Sequence, residues 1–426
     1  MSTAIFLITL LGSILLGIPV AFALLVSGIS LMFFLDIMDT QNVARSLING
    51  AGSFTLLAVP FFILAGQLMN YGGISNRIVN FALALFGHVR GGLGYVAILG
   101  SILFAGLSGS AVADTAALGA ILIPMMVKAG YDRNRSTGLI AGGGIIAPII
   151  PPSIPMIIFG VTSGVSILQL FMAGIVPGLM LGLGLAVAWS IMVRKDKVDV
   201  LPRKSMKEIL KATQQAVWAL FLPVIIIVGL RGGVFTPTEA GVIASFYALF
   251  VGAIIYRELK MPELYKALIE TVKITSVVMF LYTGAMVLGW GMTVANIPSA
   301  IAGLLEPFSD NQFLLLLLIV LFTLLIGTAM DLTAIILILT PILMPIIQMA
   351  GIDPVYFGVV FILAACLGML TPPVGTVLVV ASGVGKISME NMLRGVWPFL
   401  LVHIIVLLLL ILFPAIVTVP LEWLMK

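Results

Sequence analysis

The chain has 426 residues, 61% of them hydrophobic and 9% charged, with a net charge of +4; an ordinary soluble domain carries about 25% charged residues. That composition excludes a soluble globular protein and describes a chain that crosses a membrane many times. One cysteine, Cys366, excludes an internal disulfide, two distant histidines, His88 and His403, argue against a histidine metal centre, and basic residues confined to short loops report topology rather than a nucleic-acid partner.

The first apolar region, Ala4 to Leu35, is expected to stay as permanent membrane helix rather than a removable signal, because apolar segments continue to the C-terminus. Gly17-Ile18-Pro19 splits it in two. "QNVARSLING" follows, with Arg45 on the outer side, either an interfacial arginine or a partner for a substrate carboxylate. Residues 92–128, around "GLSGSAVADT", are too short and too interrupted for two spans and read as a re-entrant hairpin. The adjoining "GGLG" lacks the strand-to-helix setting of a nucleotide loop, and no "GxxxxGK[ST]" occurs, so ATP is not the evident energy source. Residues 137–163 contain "GIIAPIIPPSIPMIIFG", where Pro151 and Pro152 remove donors and clash with the preceding turn, which predicts a broken helix. A full span, Ile167 to Val193, leads into the basic loop "RKDKVDVLPRKSMK".

The second half repeats this order. An apolar region split by "RGGVFTPTE" places Arg231 and Glu239 at an outer turn, with Glu239 either solvated or capping the next helix. A second hairpin is expected over 312–348 around "GTAMDLTA", a second broken helix over 356–385 through "GMLTPPVGTVL", and a last span from Val396 to Val417. His403 and Cys366 lie in apolar runs and read as packing residues.

A shift of 221 residues lays the chain on itself without a gap: Pro124 falls on Pro345, Pro151-Pro152 on Pro372-Pro373, Pro177 on Pro398, and "AGYD" on "AGID". Chance at ordinary proline usage gives about half of one such coincidence. Residues 1–221 and 222–426 therefore read as two copies of one unit. Their charges are placed oppositely, since Lys128, Arg133 and Arg135 surround the first "AGYD" while Met349 to Phe357 has no basic residue. Conversely, Lys386 and Arg394 flank a loop whose counterpart, Val165 to Ala173, is uncharged. Because cytoplasmic loops are enriched in Lys and Arg, the copies are expected to be inverted, with about ten crossings, two hairpins and both termini outside. The fold class is an all-α polytopic membrane protein with an inverted repeat.

Non-helical backbone at membrane depth is tolerated only where protein or a water-filled cavity surrounds it. The two hairpin tips and two breaks carry small oxygen-bearing side chains: Ser108, Ser110, Asp114, Ser153, Thr328, Asp331, Thr333, Thr371 and Thr376. Half-helix ends there can offer carbonyls to a cation and N–H groups to a carboxylate. Hydroxyls also cap helix ends without further purpose, but carboxyls at membrane depth are functional by default, Asp331 above Asp114.

Together "LINGAGSFTLLAVPFFILAGQLMNYGGIS", "GLSGSAVADTAALGAILIPMM", "GLIAGGGIIAPIIPPSIPMIIFG", "FTPTEAG", "MDLTAIILILTPILMPI" and "GMLTPPVGTVL" resemble the large membrane subunit of the tripartite ATP-independent periplasmic (TRAP) transporters over essentially the whole chain. The resemblance implies an elevator-type carrier in the bacterial inner membrane. It implies sodium-coupled uptake of an organic acid, such as a sialic or keto-sugar acid, delivered by a periplasmic substrate-binding protein. A small four-helix membrane subunit is expected as a separate chain, and sodium as the coupling ion with no other cofactor. Carried onto this sequence, sodium is expected at Ser108, Ser110, Gly143 and Gly144 and at Thr328, Asp331, Gly368 and Thr371. Asp114, Pro151, Pro152, Ser153, Thr333, Pro372, Pro373, Gly375, Thr376 and Arg45 are the candidates for the substrate. A stand-alone sodium/anion symporter of the same fold is the alternative, and an intramembrane enzyme using Asp114 and Asp331 a remote one.

Overall fold

The computed structural model describes residues 1–194, 198, 200–305, 308 and 311–426, with the side chains of 304 and 305 left aside. Part of the basic loop that begins at Arg194, positions 195–197 and 199, lies outside the described residues. The first half runs α1 (Ser2–Leu15), α2 (Val20–Phe34), α3 (Thr40–Ala51), α4 (Ala58–Tyr71), α5 (Ile74–Phe86), α6 (Gly92–Ser108), α7 (Ala111–Lys128), α8 (Arg133–Gly144), α9 (Ile154–Ser163) and α10 (Ile167–Val193). The second runs α11 (Met206–Arg231), α12 (Pro237–Phe250), α13 (Met261–Val294), α14 (Ile297–Leu305), α15 (Gln312–Gly327), α16 (Leu332–Met349), α17 (Pro354–Gly368), α18 (Thr376–Gly385), α19 (Met389–Leu412) and α20 (Ala415–Met425).

The residues that end helices are those the sequence marks as breakers. Gly17 takes φ +80° and Pro19 caps α2, so the first apolar region is indeed two helices. At about 1.5 Å per residue, each is too short to cross a 30 Å core upright. Thr236 and Glu239 form a reciprocal capping box that starts α12, which settles Glu239 as a cap. Helices α3, α7 and α8 begin 221 positions before α13, α16 and α17. These three pairs of helix starts share the offset of 221 residues that relates the prolines.

One departure from symmetry is informative. In the second half α13 is a single helix of 34 residues, whereas its counterpart is α3 and α4, bent by 46° at a short break. The run Gly50-Ala51-Gly52-Ser53 supplies the weak point, and Gly52 ends α3. The short helices α5 and α14 lead from α4 and α13 toward the hairpins.

Two bodies of helices result. Helices α2, α3 and α4 pack on α13, and α12 packs on α4. The other body crosses its two halves: α7 lies against α8 and α18, while α16 lies against α9 and α17 pairs with α15. At its centre Phe159 of α9 meets Phe357 and Phe361 of α17, with ring centroids 6.3 and 6.0 Å apart. Gly358 admits Phe159, since a Cβ there would lie 2.5 Å from its ring. In lipid such contacts hold helices by close packing rather than by removal from water, so small residues at the seams matter more than added apolar bulk. Helices α8 and α19 touch backbone to backbone, because a Cβ on Gly138 would stand 2.2 Å from the Gly395 carbonyl oxygen.

Candidate functional site

Each hairpin tip is built by a helix stop followed by a cap. Helix α6 stops where Gly109 turns left-handed at φ +60°, and Ser110 starts α7 by accepting from the Ala113 N–H at 3.4 Å. Asp114 follows in the first turn of α7, a favourable place for a carboxylate at a helix N-terminus. Ser108 donates its hydroxyl proton to Asp114 Oδ1, and the Ser108 oxygen accepts from the Ser110 N–H at 3.1 Å. Asp114 is only 2% exposed, and its Oδ2 has no hydrogen-bond partner among the described residues. Sequence spacing pairs Asp114 with Ser110 on one helix face; the hydrogen bond instead runs across the tip to Ser108.

The second tip has the same plan with its acid in another place. Helix α15 ends at Gly327, Thr328 turns its hydroxyl back to the Leu325 carbonyl at 2.8 Å, and Asp331 caps α16 by accepting from the Thr333 N–H at 3.0 Å. Asp331 is exposed where Asp114 is buried.

The breaks sit directly against the tips. A Cβ on Gly109 would lie 2.9 Å from the Ile154 nitrogen and 3.2 Å from the Pro152 carbonyl oxygen. Ser153 is fully buried, donates to the Pro148 carbonyl at 2.6 Å and caps α9 through the Met156 N–H. Its hydroxyl thus helps to hold the break together. Pro151 lies beside Pro223 of α11 in a small apolar recess. In the second break Gly375 donates its N–H to the Thr328 carbonyl at 2.9 Å, which ties break to tip directly. Gly327 and Gly368 press together, since a Cβ on Gly368 would fall 2.5 Å from the Gly327 Cα. Thr371 bonds back to the Leu367 carbonyl at 2.7 Å, and Pro372 and Pro373 are exposed. Thr376 is half-buried, and its hydroxyl has no partner among the described residues.

Gly143 and Gly144 receive the arms of the first hairpin. A Cβ on Gly143 would stand 2.2 Å from Ser101 Oγ, and one on Gly144 would stand 1.9 Å from Thr115 Oγ1 and 2.9 Å from the Ala111 carbonyl. Arg45 stands apart, exposed on α3 and outside the cavity lining.

Between the two bodies lies a cavity of about 490 Å³. The first tip supplies Ser108, Ser110 and Asp114, the second Asp331 and Thr333, and the first break Pro148, Ile154 and Pro155. The opposite wall is formed by α4, with Gln67 and Asn70, and by α13, with Lys273 above an apolar stripe of Ile274, Val277, Val278 and Leu281. Sequence reading missed Gln67, Asn70 and Lys273. Lys273 left a signal, as a cation inside a run apolar enough to span the membrane.

Such a site can bind. Its hydroxyl, carboxylate and backbone oxygens suit a hard cation. Among the described residues no three His, Cys, Asp or Glu side chains group as metal ligands.

Residues 7–416 match the family described as "Tripartite ATP-independent periplasmic transporter, DctM component". The 2,3-diketo-L-gulonate TRAP transporter large permease protein of Escherichia coli is 52% identical over 99% of this chain and 100% of that one. The sialic acid TRAP transporter large permease protein of Vibrio cholerae is 43% identical over 95% of both. Among solved structures, the YdaH transporter of Alcanivorax borkumensis, described as having an unusual topology, superposes with a TM-score of 0.63 over 92% of this chain and 91% of that one. At 14% identity that likeness concerns fold alone. The relatives are permeases, which removes the reading of Asp114 and Asp331 as an enzyme's catalytic pair. With seven helices among the described residues long and apolar enough to cross a membrane, or eight counting the bent pair, this is a multi-pass protein of the inner membrane. The chain belongs to the large permease component of the TRAP transporter family.

Proposed function

We propose that this chain is the sodium-coupled permease of a binding-protein-dependent uptake system for an organic acid, most simply a sugar-derived acid like those its relatives are named for. The observation that carries the reading is the cavity between the hairpin tips and α13, whose lining holds two carboxyl groups and one ammonium. An anionic substrate entering such a site is repelled unless cations come with it. Sodium ions supply that charge, one held near Ser108, Ser110, Gly143 and Gly144, another near Thr328, Asp331, Gly368 and Thr371. The substrate sits between them, against Asp114, Thr333 and the two breaks.

In this reading residues 1–221 and 222–426 are inverted copies. The body containing both hairpins and both broken helices moves as an elevator against the body of α4, α12 and α13. A separate small membrane subunit and a periplasmic binding protein complete the tripartite system. The test is uptake into proteoliposomes holding both membrane subunits, with purified binding protein outside. Uptake that needs inward-directed sodium and binding protein together supports the proposal. Undiminished uptake with potassium in place of sodium would remove the coupling, and uptake of free substrate without binding protein would indicate a stand-alone symporter.

A further inference from the structure

Lys273 is the one basic side chain in the cavity lining among the described residues. It stands twelve residues into α13, about 18 Å along the helix axis. Its ammonium pairs with Glu270 Oε1 at 2.8 Å, one turn earlier, and both side chains are substantially exposed, 64% and 41%. The ordinary account of such a lysine is that it snorkels to the membrane surface and forms a weak surface pair. Two observations argue otherwise. Lys273 belongs to the α13 face that lines the cavity, with Ile274, Val277, Val278 and Leu281 continuing the same stripe. It also occupies the position that corresponds, 221 residues on, to Gly52, the residue that ends α3 at the bend in the first copy. Where one copy breaks its helix, the other keeps it straight and mounts a cation there.

The other charged groups in the lining are Asp114 and Asp331, both on the hairpins. A substrate carboxylate has nothing to gain from either. Its single cationic partner is on the opposite wall, to which α4 adds the amides of Gln67 and Asn70, three residues apart on one helix face. We propose that Lys273 is the carboxylate-binding residue of the transport cavity, exchanging its partner Glu270 for the substrate's carboxylate. Because Lys273 stays with the α4–α13 body, it engages substrate when the hairpin tips stand level with it, and Glu270 recaptures it when the acid leaves. A vacant cavity therefore keeps no bare ammonium. This inference rests on the reading of the chain as an organic-acid permease.

The test is initial-rate uptake of radiolabelled 2,3-diketo-L-gulonate and N-acetylneuraminate by the reconstituted complex with its binding protein, for wild type and for Lys273→Gln, Lys273→Arg and Glu270→Gln. Loss of one charged contact predicts a rise of about tenfold or more in KM for Lys273→Gln, with kcat and the sodium dependence within about twofold. Lys273→Arg should stay within about threefold of wild type, and Glu270→Gln should lower KM. Retention of the small subunit and an unshifted melting temperature in each variant show that charge, not folding, is being read. An unchanged KM in Lys273→Gln, or equal losses in the Gln and Arg variants, overturns the assignment. Wild-type complex that takes up neither acid under a sodium gradient overturns the functional reading and this inference together, whereas wild-type uptake with an indifferent Lys273→Gln overturns the inference alone.

Discussion

The two helix breaks share a Pro-Pro pair and a place in the repeat, yet they are finished differently. The first is buried from Pro151 through Ser153, and Ser153 satisfies it from within by bonding Pro148 and capping α9. The corresponding position in the second is Val374, 46% exposed, and α18 begins at Thr376, after Gly375, with no side-chain cap. There the Val377 N–H, equivalent to the Met156 N–H that Ser153 caps, is met by the Met369 carbonyl at 3.2 Å, and the Gly375 N–H reaches out to the Thr328 carbonyl at the hairpin tip. The acids follow the same division, with Asp114 buried against Ser108 and Asp331 open to the cavity. Both breaks are thus bridged from within, the first by the Ser153 side chain and the second by backbone alone, and the second adds a bond to its hairpin tip. If the halves are copies of one unit, the differences between these similar frames are where to look for the chemistry.

That contrast can be broken by mutation, most severely at the seam. Gly368→Val should disrupt the second copy by more than the about 1–3 kcal/mol of ordinary overpacking, because the obstacle is the Gly327 backbone rather than a flexible side chain. Gly383→Ala on α18, with open space around it, serves as control. Thermal unfolding in detergent and the yield of inserted protein read both; equal behaviour would mean that the seam is loose.

Next in size is Asp331→Ala, expected to abolish sodium-driven uptake while leaving the melting temperature near wild type, since an exposed cap contributes only about 1 kcal/mol. Asp114→Ala should instead lower stability as well, by taking the acceptor from Ser108. If both variants lose activity and stability alike, the division between an open and a closed acid is wrong.

Ser153→Ala should cost about 1–3 kcal/mol, the loss of a cap together with a buried Pro148 carbonyl left without its donor. Val374→Ala, at the equivalent but exposed position, should cost less than about 1 kcal/mol. Denaturant titration of the two variants side by side decides whether the breaks differ as described. The smallest effect is expected at Arg45→Ala, within about 0.5 kcal/mol and with near-normal uptake, because Arg45 is exposed on α3 away from the cavity. A tenfold drop in uptake would bring Arg45 back into the site.

Much of this architecture was legible because prolines and glycines act locally. Pro151-Pro152 and Pro372-Pro373 forbid a continuous helix wherever they stand, and Gly109 and Asp331 mark tips by turn and cap chemistry that needs no knowledge of neighbours. What escaped depends on distant contacts. That Ser153 bonds Pro148, and that Ser108 rather than Ser110 bonds Asp114, are matters of which way a hydroxyl turns once the chain has folded. The α4–α13 wall was missed for another reason: Gln67, Asn70 and Lys273 lie in helices that look like plain spans until the hairpins are packed opposite them.

The glycine contacts also say where the proposed motion can and cannot occur. Gly327 against Gly368, and Gly138 against Gly395, join main chain to main chain, and two backbones in that register have no smooth path past each other. The wall of α13 is different, a run of branched aliphatic side chains facing a void. If the hairpin body moves as proposed, these contacts favour sliding along its face toward α13 over sliding within it. The plane of least friction runs through the cavity itself, so the bound substrate would travel at the boundary between the part that moves and the part that stays.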